Sequence, residues 1–316
     1  MNTGKDSRPA AFIFPGQGAQ YVGMGKSLYD NFDYAKEIFR QADSVLGFKI
    51  SKLCFEGPRD QLSTTANSQP AILTVSIAAL SVFQSIFSIK AKYVAGLSLG
   101  EYSALVACGT LDFRDAVKLV RRRGEFMQEA SEKNHGEMFS ILGLELSVIE
   151  EICSDTGCEV ANLNCPGQVV ISGPADKIGG AIEAAEKRGA KRCIMLDVSG
   201  PFHSSLMSGA ADKLKVELDR IHPKTAQVPV VSNVDAAAQT SAVKIMGNLL
   251  TQVDHRTLWE SSVRFMAAGG VGTFYEMGPG KVLKGLLRRI DPALNVVNIE
   301  SAQDLEGLKT MKGVQL

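Results

Sequence analysis

Ala11-Phe12-Ile13-Phe14 is an unbroken apolar run that stops at Pro15 and the turn Gly16-Gln17-Gly18. That is the pattern of a short strand buried on both faces. Ala71 to Ile89 then runs nineteen residues without a charge, and Pro70 stands where a helix would begin. The length approaches a bilayer span. Thr74, Ser76, Ser81, Gln84, Ser85 and Ser88 interrupt it, however, so a buried helix of an α/β core is the better account. Lys92 to Leu97 reads as a second buried strand and Leu99 to Ala107 as a helix. A strand, a sharp turn and a helix in that order predict a parallel sheet.

Phe113 to Glu129 has helical spacing, with Ala116, Val120 and Met127 on one stripe. The next segment changes rhythm. Strands are expected at Glu137–Leu142, Glu159–Asn164, Gln168–Ser172 and Lys191–Leu196, with helices at Leu146–Ser154 and Ala175–Arg188 and a hairpin turn at Pro166-Gly167. The order β-α-β-β-α-β is the ferredoxin-like pattern, and it predicts a compact module between residues 131 and 200. After Pro201 helix and strand alternate again, with strands at Val228–Ser232 and Thr273–Glu276.

Composition narrows the class. A chain of 316 residues suits two domains, or one large α/β domain carrying an insert. With 34 basic and 34 acidic side chains the formal net charge is zero, which argues against nucleic acid or an anionic membrane as partner. The six cysteines form no CxxC pair and read as reduced thiols rather than a disulfide framework or a metal site. Met1 to Ala10 is polar and lacks the apolar core of a signal peptide. A cytoplasmic protein without metal is expected.

The chemistry begins at Gly96-Leu97-Ser98-Leu99-Gly100. A GxSxG sequence between a strand and a helix is the setting of a nucleophile elbow, where a strained turn exposes the serine hydroxyl. The Leu99 N–H and the helix N-terminus would then face a developing oxyanion. A serine nucleophile needs a base. Of four histidines, His203 lies in a glycine-proline loop at the edge of the middle module, whereas His135, His222 and His255 lie in polar segments. Asp197 reads equally as a third triad member or a surface carboxylate.

Arg123 shares the apolar stripe of its helix, while Arg121 falls on the face of Arg114, Lys118 and Glu125 and should be solvated. A guanidinium on a buried stripe needs an anion. Either a protein carboxylate supplies it in a salt bridge, or the substrate does. In the second case a serine ester bearing a free carboxylate follows, and malonyl is the obvious acyl group. Gly25-Lys26-Ser27 imitates a P-loop ending, but position 20 is Gln where that motif requires glycine.

Together these segments resemble the malonyl-CoA:acyl carrier protein transacylase family, including stand-alone acyltransferases that serve polyketide synthases. The matching stretches are Phe14-Pro15-Gly16-Gln17-Gly18, Gly96 to Ser103, Arg123 to Met127, Asn162 to Gln168, Gly200-Pro201-Phe202-His203-Ser204 and Glu276 to Gly280. The fold expected is α/β: an α/β-hydrolase-like parallel-sheet core over residues 1–130 and 201–316, with the ferredoxin-like subdomain over 131–200.

The resemblance implies that Ser98 is acylated, that His203 is its base and that Arg123 binds the malonyl carboxylate. It implies an oxyanion hole from the N–H groups of Gln17 and Leu99. Gln252, seven residues before Trp259, matches the residue whose carbonyl orients the histidine, which leaves Asp197 a bystander. Met127, Phe202 and Asn162 fall in matching motifs and are expected at the substrate. The Phe202 ring would crowd the α-methyl of methylmalonyl. Many members carry histidine just before the serine where this chain has Leu97, but the base role belongs to the later histidine.

The implied reaction takes malonyl from malonyl-CoA to the phosphopantetheine thiol of an acyl carrier protein, by a monomer without a cofactor, in fatty acid or polyketide synthesis. Lys281, Lys284, Arg288 and Arg289 read either as a surface for an acidic carrier or as a solvated helix face. The rival readings are a serine esterase or thioesterase with the same elbow, and a non-catalytic docking module for carrier proteins.

Overall fold

The computed structural model describes residues 9–312, for the last two the backbone alone; Met1–Arg8, which make up most of the stretch read as lacking a signal peptide, lie outside the described residues. Two sheets organise them. In the first, strands follow the order Asn295–Ile299, Thr273–Met277, Ala10–Phe14, Ala91–Gly96, Val230–Val231 and Ala238–Gln239. All neighbours are parallel except the last pair. Central strands of a parallel sheet are covered on both faces, which is why Ala10–Phe14 is buried at every position.

The helix Thr65–Ile86 covers one face. Phe83 packs edge-on to Phe12 at 5.6 Å and at 5.1 Å from Tyr275. It is long and apolar enough to cross a membrane, yet 78% of its apolar window is buried in the protein. This helix starts five residues before Pro70, not at it. Proline inside a helix forfeits one hydrogen bond, to the carbonyl four residues back. That carbonyl belongs to Ala66, and Arg121 Nη1 donates to it at 3.1 Å. Arg121 is therefore half-buried and tied to Asn67 and Glu125 as well, which corrects its expected solvation.

The second sheet has the order Glu159–Cys165, Gln168–Pro174, Gly136–Leu142 and Arg192–Met195, antiparallel throughout. Helices Leu146–Thr156 and Ala175–Lys187 pack on it and close a separate apolar cluster around Ile141, Ile149, Ile171 and Ile178. Four helices between residues 26 and 63, three of them short, had no counterpart in the sequence reading. Strand Val230–Val231 is shorter than expected, because the chain turns back at Ser232, whose carbonyl accepts from Ala236 and whose N–H donates to Ala237.

Candidate active site

Ser98 sits between the strand Ala91–Gly96 and the helix Leu99–Ala107 at φ 51°, ψ −106°, a backbone strained for a residue with a side chain. The turn is tight enough to require both flanking glycines. A Cβ on Gly96 would lie 1.9 Å from the Gly100 carbonyl carbon, and one on Gly100 would lie 2.1 Å from the Phe14 oxygen. Asn233 holds the turn from outside: its Oδ1 accepts the Ser98 N–H at 2.7 Å and its Nδ2 donates to the Gly96 carbonyl at 2.7 Å.

His203 is buried, with a left-handed φ of 58°. Its Nε2 lies 2.9 Å from Ser98 Oγ and its Nδ1 2.8 Å from the Gln252 carbonyl. A carbonyl can only accept, so Nδ1 carries the proton and Nε2 presents a lone pair to the serine hydroxyl. Burial, reinforced by the nearby Arg123 charge, pushes the imidazole down to about 4, so it is neutral at pH 7.

Arg123 is 2% exposed in the helix Phe113–Lys133. Nη1 donates to Gln69 Oε1 at 2.8 Å; Nη2 donates to Gln252 Oε1 and to Ser98 Oγ, each at 3.1 Å. The guanidinium also lies 5.3 Å from the Tyr102 ring. These partners are neutral, and among the described residues no carboxylate pairs with it. Burial lowers its pKa, but an arginine remains charged. The site therefore holds a fixed positive charge 3.1 Å from the serine hydroxyl, hydrogen-bonded to neutral groups alone among the described residues.

The other expected residues take definite places. Gln17 is half-buried on the turn after the first strand, its Nε2 3.3 Å from Thr65 Oγ1. The Leu97 N–H donates to the Phe14 carbonyl at 3.1 Å, so that turn and the elbow touch. Leu99 opens its helix, where an N–H has no intrahelical acceptor. Met127 lies one turn beyond Arg123, and its sulfur accepts from Gln69 at 3.5 Å. Phe202 is buried beside His203. The Asn162 amide donates to Thr257 Oγ1 at 2.6 Å, which ties the second sheet to the segment after Gln252. His135, His222 and Asp197 are exposed and apart from this group, while the exposed His255 side chain pairs with Asp254 and only its backbone reaches His203.

A model of the acyl transferase domain matches residues 11–272. The chain is 47% identical over 308 residues to a malonyl CoA-acyl carrier protein transacylase of Bacillus subtilis, covering 96% of this chain and 97% of the relative. The chain belongs to the malonyl CoA-acyl carrier protein transacylase family. The Escherichia coli K12 member is 44% identical over 284 residues, covering 89% of this chain and 92% of the relative. An acyl-carrier-protein-S-malonyltransferase structure from Bartonella henselae superposes with TM-score 0.93 at 41% identity, covering 97% of this chain and 100% of that one. A malonyl-transacylase solved in complex with a type II PKS acyl-carrier protein gives TM-score 0.93 at 38% identity, over 96% and 99%.

Three residues that hold this family member's site together were missed as site residues: Gln69, Glu101 and Asn233. All three are buried and polar. Glu101 could have been noticed from sequence, as a carboxylate inside the otherwise uncharged helix Leu99–Ala107. Gln69 and Asn233 gave no such signal.

Proposed function

We propose that this chain transfers malonyl from malonyl-CoA to the phosphopantetheine thiol of an acyl carrier protein through an ester on Ser98. One observation carries the reading: the buried Arg123 guanidinium stands 3.1 Å from Ser98 Oγ with only neutral protein partners. A neutral His203 takes the Ser98 proton as the oxygen attacks the thioester carbonyl. The N–H groups of Leu99 and Gln17 receive the oxyanion. The intermediate collapses, the carbon–sulfur bond breaks, and His203 returns its proton to the departing coenzyme A thiolate. In the second half the carrier thiol gives its proton to His203 and attacks the ester, and Ser98 leaves with that proton.

Arg123 grips the malonyl carboxylate in both halves, Met127 and Phe202 bound the acyl group, and Asn162 contacts the substrate from the second sheet. Gln252 fixes the tautomer of His203, a task a triad carboxylate performs elsewhere. Within this reading residues 1–130 and 201–316 form an α/β-hydrolase-like core and 131–200 a ferredoxin-like subdomain. The enzyme acts without a cofactor, as a cytoplasmic monomer. Lys281, Arg288 and Arg289 are exposed and Lys284 half-buried on or beside the helix Val282–Ile290, a surface suited to an acidic carrier.

The rival esterase delivers the acyl group to water and has no use for a buried cation. Incubation with malonyl-CoA should add one malonyl mass to the protein, and carrier protein should discharge it much faster than buffer. Equal discharge by buffer alone would overturn the transferase reading; no added mass would overturn catalysis through Ser98.

A further inference from the structure

The Gln252 side-chain amide has two ends that face different neighbours. Its Oε1 accepts from Arg123 Nη2 at 3.1 Å, while its Nε2 donates to Glu101 Oε2 at 2.7 Å and to the Ser98 carbonyl at 3.2 Å. Half a turn about the last bond would exchange oxygen and nitrogen in nearly the same volume. It would also aim an NH2 group at a guanidinium, which offers donors only. Two acceptors at the nitrogen end oppose this turn, the Ser98 carbonyl and, at the shorter distance, Glu101, which is 1% exposed.

We propose that Glu101 is a positioning residue that locks the Gln252 amide with its oxygen toward Arg123. The lock holds the guanidinium at Ser98 and steadies the residue whose carbonyl orients His203. Glu101 touches no reacting atom; it acts through Gln252. The Asn233 N–H donates to the same Oε2 at 3.1 Å, which aims that oxygen at the amide. Burial raises the carboxyl to about 7. Both N–H donors converge on Oε2, so Oε1 can carry a proton while Oε2 accepts in either charge state. The inference rests on the reading of Arg123 as the receptor for the malonyl carboxylate.

The test compares acylation of Ser98 by malonyl-CoA and acetyl-CoA in the wild type, Glu101→Gln and Glu101→Leu. Glutamine can keep an oxygen in the Oε2 position, so Glu101→Gln should retain the malonyl-to-acetyl ratio within about threefold. Glu101→Leu removes the acceptor and should lower kcat/KM for malonyl by about tenfold more than for acetyl. In a Gln252→Leu background the same substitution should leave the ratio unchanged, since the group it acts through is gone. Should Glu101→Leu fail to fold, Glu101→Asp withdraws the carboxylate by one methylene and should lower the ratio in the same direction. A folded Glu101→Leu or Glu101→Asp protein that loses both activities equally, or neither, overturns the lock. A wild type that takes no malonyl would instead overturn the activity on which the lock depends.

Discussion

Asn233 clamps the turn that carries Ser98, although 135 residues separate the two in sequence. One amide accepts the serine N–H and donates to the Gly96 carbonyl, so a single side chain closes both flanks of a strained backbone. Asn233→Ala leaves two polar groups without partners in a largely buried turn, at about 1–3 kcal/mol each. Chemical denaturation should show a loss of about 2–6 kcal/mol. Malonyl loading should slow by at least about tenfold, because Ser98 Oγ drifts from His203. A variant with full stability and rate would remove Asn233 from the elbow.

Arg123→Ala separates substrate binding from structure. If the guanidinium meets the malonyl carboxylate, its removal costs about 1.5–3 kcal/mol in malonyl acylation, roughly 10- to 150-fold in kcat/KM. Acetyl carries no carboxylate and should be affected far less. Rates of Ser98 acylation by the two thioesters decide it, and equal losses would make Arg123 a structural residue.

The contrast between Arg123 and Asn233 explains what the sequence made legible. Periodicity put Arg123 on a buried stripe because its neighbours at helical spacing are apolar, and the helix does bury it. The middle sheet was legible for the same reason, each strand and helix having its own clear period. Asn233 is a single polar residue in a loop, and its role exists only once the chain has folded. The four helices between residues 26 and 63 are mostly too short for a period to emerge, apart from Asp33–Leu46, which buries Ala35, Phe39 and Ala42. Pro70 misled because its lost hydrogen bond is replaced by Arg121, a tertiary contact. Glu101 lies within the Gly96 to Ser103 stretch that resembles the family, but nothing local says that it faces Gln252.

The pH dependence of acylation follows from His203. Only the neutral imidazole can take the Ser98 proton, and the folded protein holds this group down to about 4 from an ordinary 6.5. Falling pH protonates it, so kcat/KM for malonyl-CoA should stay level from pH 8 to near 5 and decline below, with a midpoint about 4. An exposed histidine would put that midpoint near 6.5. A pH–rate profile with its acid limb at 6 or above would mean that water reaches the imidazole in the free enzyme.

Phe202 tests the shape of the acyl pocket. The ring is buried immediately before His203, and on the proposed reading an α-substituent of the acyl chain would meet it. Methylmalonyl differs from malonyl by one methyl group, and a single methyl discriminates by about 1–3 kcal/mol in a fitted pocket. Phe202→Ser opens that volume and should improve methylmalonyl relative to malonyl by about tenfold, read by mass spectrometry after competition between the two thioesters. Truncating a buried phenylalanine costs about 3–5 kcal/mol of stability, so Phe202→Leu serves as a milder companion and should shift the ratio in the same direction by less. If both variants stay folded and the ratio does not move, selection against the α-methyl lies elsewhere in the pocket, and the ring beside His203 is only packing.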